Sequence, residues 1–325
     1  MNIVFLDART VGHEPDLEQF AGLATAAGGT FTAWPETAPE QTAARLREAT
    51  VVITNKVVVN EAVMAACPAL RLICVAATGT NNVDLAAART RGIVVKNVSG
   101  YSTHSVAQVT FGLLLSLLNA VSYYDNYVKT GAYGRDTIFT HLGRPFWELA
   151  GKRVGIIGLG AIGRQVAQIA TAFGATVVYF SASGQRYADP YEAISLPDLL
   201  RTCDIVSVHA PLTETTTNLL TYNELCLMQP NAILLVMSRG GLVNEADLAR
   251  ALDDGRLAGA GVDVYTQEPL PPHHTYLQMT HPERLLVAPH VAWSSVEARQ
   301  RLMNGVAENI RVWVANSEKP MQTTA

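Results

Sequence analysis

The chain has 325 residues, 49% of them hydrophobic and 16% charged, with a formal net charge of −4. That length suggests about two domains, and that composition supports sizeable buried cores and excludes a disordered chain. Slight acidity without any Lys/Arg-rich run argues against a nucleic-acid or anionic-membrane partner.

Short apolar runs alternate with helical stretches, the signature of mostly parallel sheets covered on both faces. The first strand is expected at Ile3–Leu6, with no basic n-region or cleavage site of a secretory signal around it. Further strands are expected at Val51–Thr54, Leu72–Ala76 and Ile93–Val95, separated by helices such as Gln41–Ala49 and Leu85–Thr90. This is enough material for a small α/β domain. One long helix is expected from about Ser105 to Val128. Its most apolar part, Val109 to Val121, includes Thr110, Gly112, Ser116 and Asn119 and falls short of the roughly 20 residues that span a bilayer. A soluble, cytoplasmic protein is therefore expected. Tyr133 to Trp147 follows with no clear period; Tyr133, Ile138, Phe139, Phe146 and Trp147 are costly to leave in water, so the stretch reads as a subunit contact.

The most informative segment comes mid-chain. An apolar strand candidate, Val154–Gly158, runs into Gly158-x-Gly160-x-x-Gly163, and Val166, Ile169, Ala170 and Phe173 then recur at helical spacing. Gly158 allows a tight turn, Gly160 lets backbone approach a pyrophosphate, and Gly163 lets helix and strand pack closely. The free N–H groups at the helix start face the phosphate charge. Strand, glycines and helix in this order point to a dinucleotide site. Strands at Thr176–Phe180, Ile205–Val208, Ile233–Met237, Gly261–Val264 and Leu285–Ala288 would complete a six-stranded doubly wound sheet. A last helix is expected from Val296 to about Val314, with the prospect of crossing back onto the N-terminal domain.

A nicotinamide dinucleotide implies hydride transfer, with the protein supplying orientation, electrostatics and a proton relay. Three residues sit where doubly wound folds place ligands, beyond the carboxyl ends of strands: Arg239, Glu268 and His290. An arginine fork matches a carboxylate and polarises a neighbouring carbonyl. Histidine exchanges a proton with a developing alkoxide, and a hydrogen-bonded carboxylate would orient the ring. His209 ends another strand, where it would line the adenine side. Cys67, Cys74, Cys203 and Cys226 form no CxxC pair and read as reduced thiols; adjacent His273-His274 lacks metal-pair spacing, and no metal site is expected.

These motifs, with Ala77-Thr-Gly-Thr-Asn-Asn-Val-Asp84, Asn97-Val-Ser-Gly-Tyr-Ser-Thr-His-Ser-Val106, Ser238-Arg-Gly-Gly-Leu-Val-Asn-Glu245, Gly261-Val-Asp-Val264, Glu268-Pro269 and Pro289-His-Val-Ala-Trp293, cover nearly the whole chain. In them the chain resembles the D-isomer-specific 2-hydroxyacid dehydrogenases, most of all their glycerate dehydrogenase (hydroxypyruvate reductase) branch. The resemblance implies a Rossmann-type doubly wound parallel sheet, residues 100–295, inserted in a smaller flavodoxin-like α/β substrate domain, residues 1–99 plus 296–325. It implies His290 as acid/base, Glu268 as its partner and Arg239 as the substrate-orienting residue. Backbone N–H groups at Thr78 and Gly79 would hold the substrate carboxylate. Gly158, Gly160, Ala161, Ile162 and Gly163 would hold the pyrophosphate, and Thr103, Ser238 and Asp263 would contact the cofactor, Asp263 at the carboxamide. His209 and Pro211 would border the adenosine. It also implies a homodimer, with an arm at about residues 120–150.

In one place the chain departs from the family. After Thr176–Phe180, where NAD enzymes carry an acid for the ribose 2′-hydroxyl, it reads Ser181-Ala-Ser-Gly-Gln-Arg186. Ser181, Ser183 and Arg186 would suit a 2′-phosphate, while serine hydroxyls also suit a ribose; NAD(H) is favoured and NADP(H) stays open. Tyr101 and Trp293 either narrow the pocket towards a small acid or simply pack. The expected activity is reversible reduction of a small 2-keto acid, hydroxypyruvate or glyoxylate, to the D-2-hydroxy acid. The rivals are a D-3-phosphoglycerate or other D-2-hydroxyacid dehydrogenase and a non-catalytic, NAD(H)-sensing corepressor-like scaffold.

Overall fold

The computed structural model describes residues 1–13, 15–185 and 190–317. The chain divides into two units, Met1–Ser102 with the C-terminal segment from Ser294, and Thr103–Trp293. The first unit runs β1 (Ile3–Phe5), α1 (Glu18–Ala26), β2 (Phe31–Ala33), α2 (Pro39–Leu46), β3 (Val51–Thr54), α3 (Glu61–Ala66), β4 (Leu72–Val75), α4 (Leu85–Thr90) and β5 (Val94–Asn97). Its five strands are parallel, in the flavodoxin-like order β2-β1-β3-β4-β5. β3 and β4 are buried throughout, which is why they read as unbroken apolar runs. β2, by contrast, is a three-residue edge strand of half-buried and exposed residues, too short and polar to carry a pattern. Asn60 and Asp84 start α3 and α4 by accepting the N–H groups of Val63 and Ala87.

The second unit opens on helices. The single long helix expected here is two, α5 (Thr103–Leu118) and α6 (Val121–Lys129), bent by 63°. Ala120 between them has φ +49°, outside the right-handed region that would continue the helix. α5 buries Val106, Phe111, Leu114 and Leu118, whereas α6 buries nothing; the apolar pattern that seemed to run on belongs to aromatic residues with no core beneath them. Among the described residues no single helix is long and apolar enough to cross a membrane.

The sheet of this unit follows: β6 (Arg153–Ile157), α7 (Ala161–Ala172), β7 (Thr176–Phe180), β8 (Glu192–Ala193), α8 (Leu196–Thr202), β9 (Ile205–Val208), α9 (Tyr222–Leu225), β10 (Ile233–Val236), α10 (Glu245–Asp253), β11 (Gly259–Val262) and β12 (Leu285–Val287). The strands are parallel in the order β12-β11-β10-β9-β6-β7-β8. The seventh strand, beyond the six expected, is β8, whose two residues extend the edge beside β7. Alternate residues serve opposite cores: Ile233 and Leu235 pack with α5 and α7 residues, Leu234 and Val236 with the α10 side. The strand order reverses between β6 and β9, so a crevice opens at the carboxyl edge there. The last helix, α11 (Val296–Ser317), belongs to the first unit, burying Leu302, Met303, Val306 and Ile310, and Asn309 donates to the Asn97 carbonyl.

Candidate active site

The glycine loop lies at the crevice, between β6 and α7. Gly158 has φ +94°, and a Cβ there would stand 2.5 Å from the Ala210 backbone nitrogen. A Cβ on Gly163 would stand 2.3 Å from the Gly158 carbonyl oxygen, so helix and turn touch backbone to backbone. Gly160, the N-cap of α7, meets nothing within 4 Å on its Cβ side. Two glycines are thus spent on the protein and the middle one faces open space. Ala161 and Ile162 form the first turn of α7, where N–H groups lack intrahelical acceptors. Ser238, at the end of β10, has a buried hydroxyl with no hydrogen-bond partner, an arrangement that costs about 1–3 kcal/mol unless a ligand satisfies it. An open glycine cradle and an orphaned hydroxyl on one sheet edge fit a dinucleotide.

The three residues singled out for chemistry follow three adjacent strands, β10, β11 and β12, at the same edge. His290 and Glu268 meet: Nδ1 lies 2.7 Å from Oε2, with side chains 23% and 33% exposed. Glu268 Oε1 accepts the Tyr265 N–H at 3.0 Å. His290 has φ +52°, an uncommon conformation for a non-glycine residue, held by its N–H on the Ala288 carbonyl at 3.0 Å. Asp263 is buried and accepts the Val291 and Ala292 N–H groups at 2.9 and 3.0 Å. It therefore pins the segment just after His290, a contact that the carboxamide role alone does not suggest. Arg239 is exposed, with Nη1 on the Ser238 carbonyl at 2.7 Å.

The remaining candidates spread along this edge and the other unit. Thr103 begins α5. Ser181, just after β7, shares a hydroxyl contact of 3.2 Å with Ser183, and its carbonyl accepts the Gly184 N–H; Arg186 lies outside the described residues. His209, after β9, places Nε2 2.8 Å from the Ser207 hydroxyl, and the Pro211 carbonyl accepts the Thr216 hydroxyl. Trp293 packs against the core beneath α5. Thr78, Gly79 and Tyr101 belong to the first unit: the Thr78 hydroxyl donates to the Val98 carbonyl, Gly79 is half-buried, and Tyr101 is buried, its carbonyl accepting Arg301 Nε. Among the described residues no group of three His, Cys, Asp or Glu side chains would hold a metal ion.

Burial sets two opposing pH dependences here. It pushes the Asp263 carboxyl up to about 6, against the pull of the Ala292 and Val291 N–H groups, and drives His209 down to about 4. The raised Asp263 contributes stability below the ordinary carboxyl value, which is lost as pH rises through about 6. The depressed His209 contributes stability above about 6.5, which is lost as pH falls through about 4. Each contribution is at most about 3 kcal/mol. His209→Gln is expected to remove the fall in stability between pH 6.5 and about 4, and Asp263→Asn the fall between pH 3.8 and about 6, whatever constant offset each substitution adds. Thermal melts across that range check this, and parallel curves for all three proteins would exclude it.

Residues 111–292 match the family described as D-isomer specific 2-hydroxyacid dehydrogenase, NAD binding domain. The chain is 38% identical to a glycerate dehydrogenase of Methylorubrum extorquens over 277 residues, 85% of this chain and 86% of that protein. It is 33% identical to a hydroxypyruvate reductase of Blautia hydrogenotrophica over 284 residues, 86% of each. Among solved structures it is similar to an NADPH-dependent glyoxylate/hydroxypyruvate reductase of Sinorhizobium meliloti in complex with NADP and malonate. That match has a TM-score of 0.81 and 27% identity, covering 98% of this chain and 94% of that one. Two parallel sheets, a glycine cradle at the crevice and a His–Glu pair on the same edge agree with these likenesses, and the chain belongs to the D-isomer-specific 2-hydroxyacid dehydrogenase family.

Proposed function

We propose that this enzyme reversibly reduces a small 2-keto acid, hydroxypyruvate first and glyoxylate second, to the D-2-hydroxy acid. The observation that carries the reading is the 2.7 Å contact of His290 Nδ1 with Glu268 on the cofactor edge. An ionised Glu268 keeps a proton on Nδ1, which leaves Nε2 to exchange a proton with substrate. A bound nicotinamide cofactor supplies the hydride. In reduction His290 delivers its Nε2 proton to the carbonyl oxygen of the keto acid; in oxidation it takes that proton from the alcohol. Glu268 holds the ring plane. Arg239 turns its planar fork from the Ser238 carbonyl to the substrate carboxylate and carbonyl oxygen. The likeness to a glycerate dehydrogenase and a hydroxypyruvate reductase supports the choice of substrate.

On the cofactor, we favour NAD(H). Residues 181–186 carry no acid to repel a 2′-phosphate and one cation, Arg186, that could pair with it, so the preference over NADP(H) is expected to stay within about tenfold, 1.4 kcal/mol. Initial rates at 340 nm with hydroxypyruvate, glyoxylate, phosphohydroxypyruvate and a branched 2-keto acid, each with NADH and NADPH, test both statements. Cofactor binding without turnover of any keto acid would sink the assignment. We also read the protein as a homodimer, because Phe139 and Leu142 on the arm are 90% and 79% exposed; light scattering at the monomer mass of 34.9 kDa would exclude it.

A further inference from the structure

A second histidine–carboxylate pair lies behind the first. Glu245 opens α10, and its Oε2 lies 2.9 Å from His274 Nε2, with side chains only 15% and 11% exposed. The Tyr276 N–H donates to His274 Nδ1 at 3.2 Å, so that nitrogen is an acceptor and the ring proton sits on Nε2, towards Glu245. Both ring nitrogens are therefore engaged within the protein. The other oxygen of Glu245 accepts the Thr266 N–H at 2.6 Å and the Thr266 hydroxyl at 3.0 Å.

Thr266 adjoins Tyr265, which contacts Glu268 directly and the segment before His290 through its side chain. Tyr265 donates its N–H to Glu268 Oε1. The Tyr265 hydroxyl donates to the Ala288 carbonyl at 2.8 Å, the oxygen that also accepts the His290 N–H. Burial pushes that phenol up to about 12, which keeps it a donor. On the opposite side Gly240, next to Arg239, lies against the peptide joining Tyr265 to Thr266: an added Cβ would fall 1.9 Å from the Tyr265 carbonyl carbon and 2.2 Å from the Thr266 nitrogen. The ring of Tyr265 stands edge-on to His274 and Tyr276, at centroid distances of 6.3 and 6.4 Å.

We propose that Glu245, braced by His274, and Tyr265 are positioning residues for the reaction: Glu245 clamps Thr266 and with it the adjoining Tyr265, whose N–H and hydroxyl set Glu268 and His290 in register. The proposal rests on the acid/base roles given above to those two residues. Neither Glu245 nor His274 exchanges a proton with substrate. Their effect reaches the chemistry through Glu268, as a displacement of about an ångström costs on the order of 10²-fold in rate.

The test is a double-mutant cycle on the whole enzyme, with Glu245→Ala, Glu268→Gln and the pair, and His290→Ala assayed alongside. Glu245→Ala is expected to lower kcat about 10- to 100-fold while KM and the Kd for NADH move by less than about threefold. In the Glu268→Gln background the same substitution is expected to cost less than about threefold more, because the clamp acts through the residue already altered. Losses that multiply, or a folded Glu245→Ala variant with parental kcat, overturn the proposal. Should Glu245→Ala fail to fold, Tyr265→Phe, which removes the hydroxyl on the Ala288 carbonyl that accepts the His290 N–H, decides: a kcat loss of roughly three- to tenfold with KM and the Kd for NADH little changed is expected, and an unchanged kcat overturns the proposal. Parental turnover in His290→Ala and Glu268→Gln would bring down the acid/base assignment and the clamp together. Inactive His290→Ala beside parental Glu245→Ala and Tyr265→Phe would bring down the clamp alone.

Discussion

A folded His290→Ala variant is expected to reduce hydroxypyruvate about 10²- to 10⁴-fold more slowly than the parent, the usual contribution of a positioned proton donor. The loss should fall on kcat, because the side chain acts on the carbonyl oxygen as charge develops there. NADH affinity, followed by fluorescence, should hardly change, since the glycine cradle follows β6 and His290 follows the edge strand β12, with three strands between them. The backbone offers a control. His290 sits at φ +52°, a region that asparagine tolerates better than alanine. His290→Asn therefore keeps the turn while removing the proton donor, and should be as inactive as His290→Ala. Turnover within a few-fold of the parent in either variant would mean that another group moves the proton.

Gly240→Ala should be the most damaging single-methyl change in the cofactor unit. The new Cβ would lie 1.9 Å from the Tyr265 carbonyl carbon, 2.1 Å from its oxygen and 2.2 Å from the Thr266 nitrogen. Those are backbone atoms on both sides, so no flexible side chain can yield. Either the Arg239 loop or the Tyr265–Glu268 loop must move. We expect a stability loss of at least about 3 kcal/mol, the upper end for overpacking, seen as a lowered denaturant midpoint. The surviving folded fraction should lose hydroxypyruvate turnover by on the order of 10² or more, because whichever loop moves carries a reacting residue, Arg239 or Glu268. Gly112→Ala is the comparison, since nothing lies within 4 Å of a Cβ at that helical position; it should melt no lower than the parent. Equal midpoints for Gly240→Ala and the parent would show that the two loops are not packed as described.

The legible parts of this molecule are those where burial imposes a pattern. β3, β4, β9 and β10 are buried along their length, so their apolar runs stand out, and parallel strands place the loops carrying Gly158, Arg239, Glu268 and His290 at one edge. β2 and β8 escaped because three- and two-residue edge strands are specified by their neighbours. The helix break at Ala120 escaped because Tyr123, Tyr124 and Tyr127 prolong the helical spacing; their rings and His141 pack against each other on the arm rather than onto a core. Glu245, Tyr265 and His274 gave no signal of their own. A glutamate opening a helix is an ordinary first-turn acid, and a tyrosine after a strand is an ordinary packing residue. Glu245 entered the sequence reading only as the last residue of the matching segment Ser238-Arg-Gly-Gly-Leu-Val-Asn-Glu245.

What the sequence by itself determined is therefore the set of groups available and their order along the chain: a glycine-rich turn between strand and helix, then an arginine, a carboxylate and a histidine after successive strands. Periodicity and motif spacing are local properties, and they are enough for that. What only the tertiary structure decided is which of these groups meet. His290 Nδ1 comes to 2.7 Å from Glu268, Asp263 turns both oxygens to the backbone after His290, and Glu245 reaches Thr266 and His274 across 21 and 29 residues. Those pairings depend on the angles at which three loops leave β10, β11 and β12, and such angles are set by packing between segments distant in the chain.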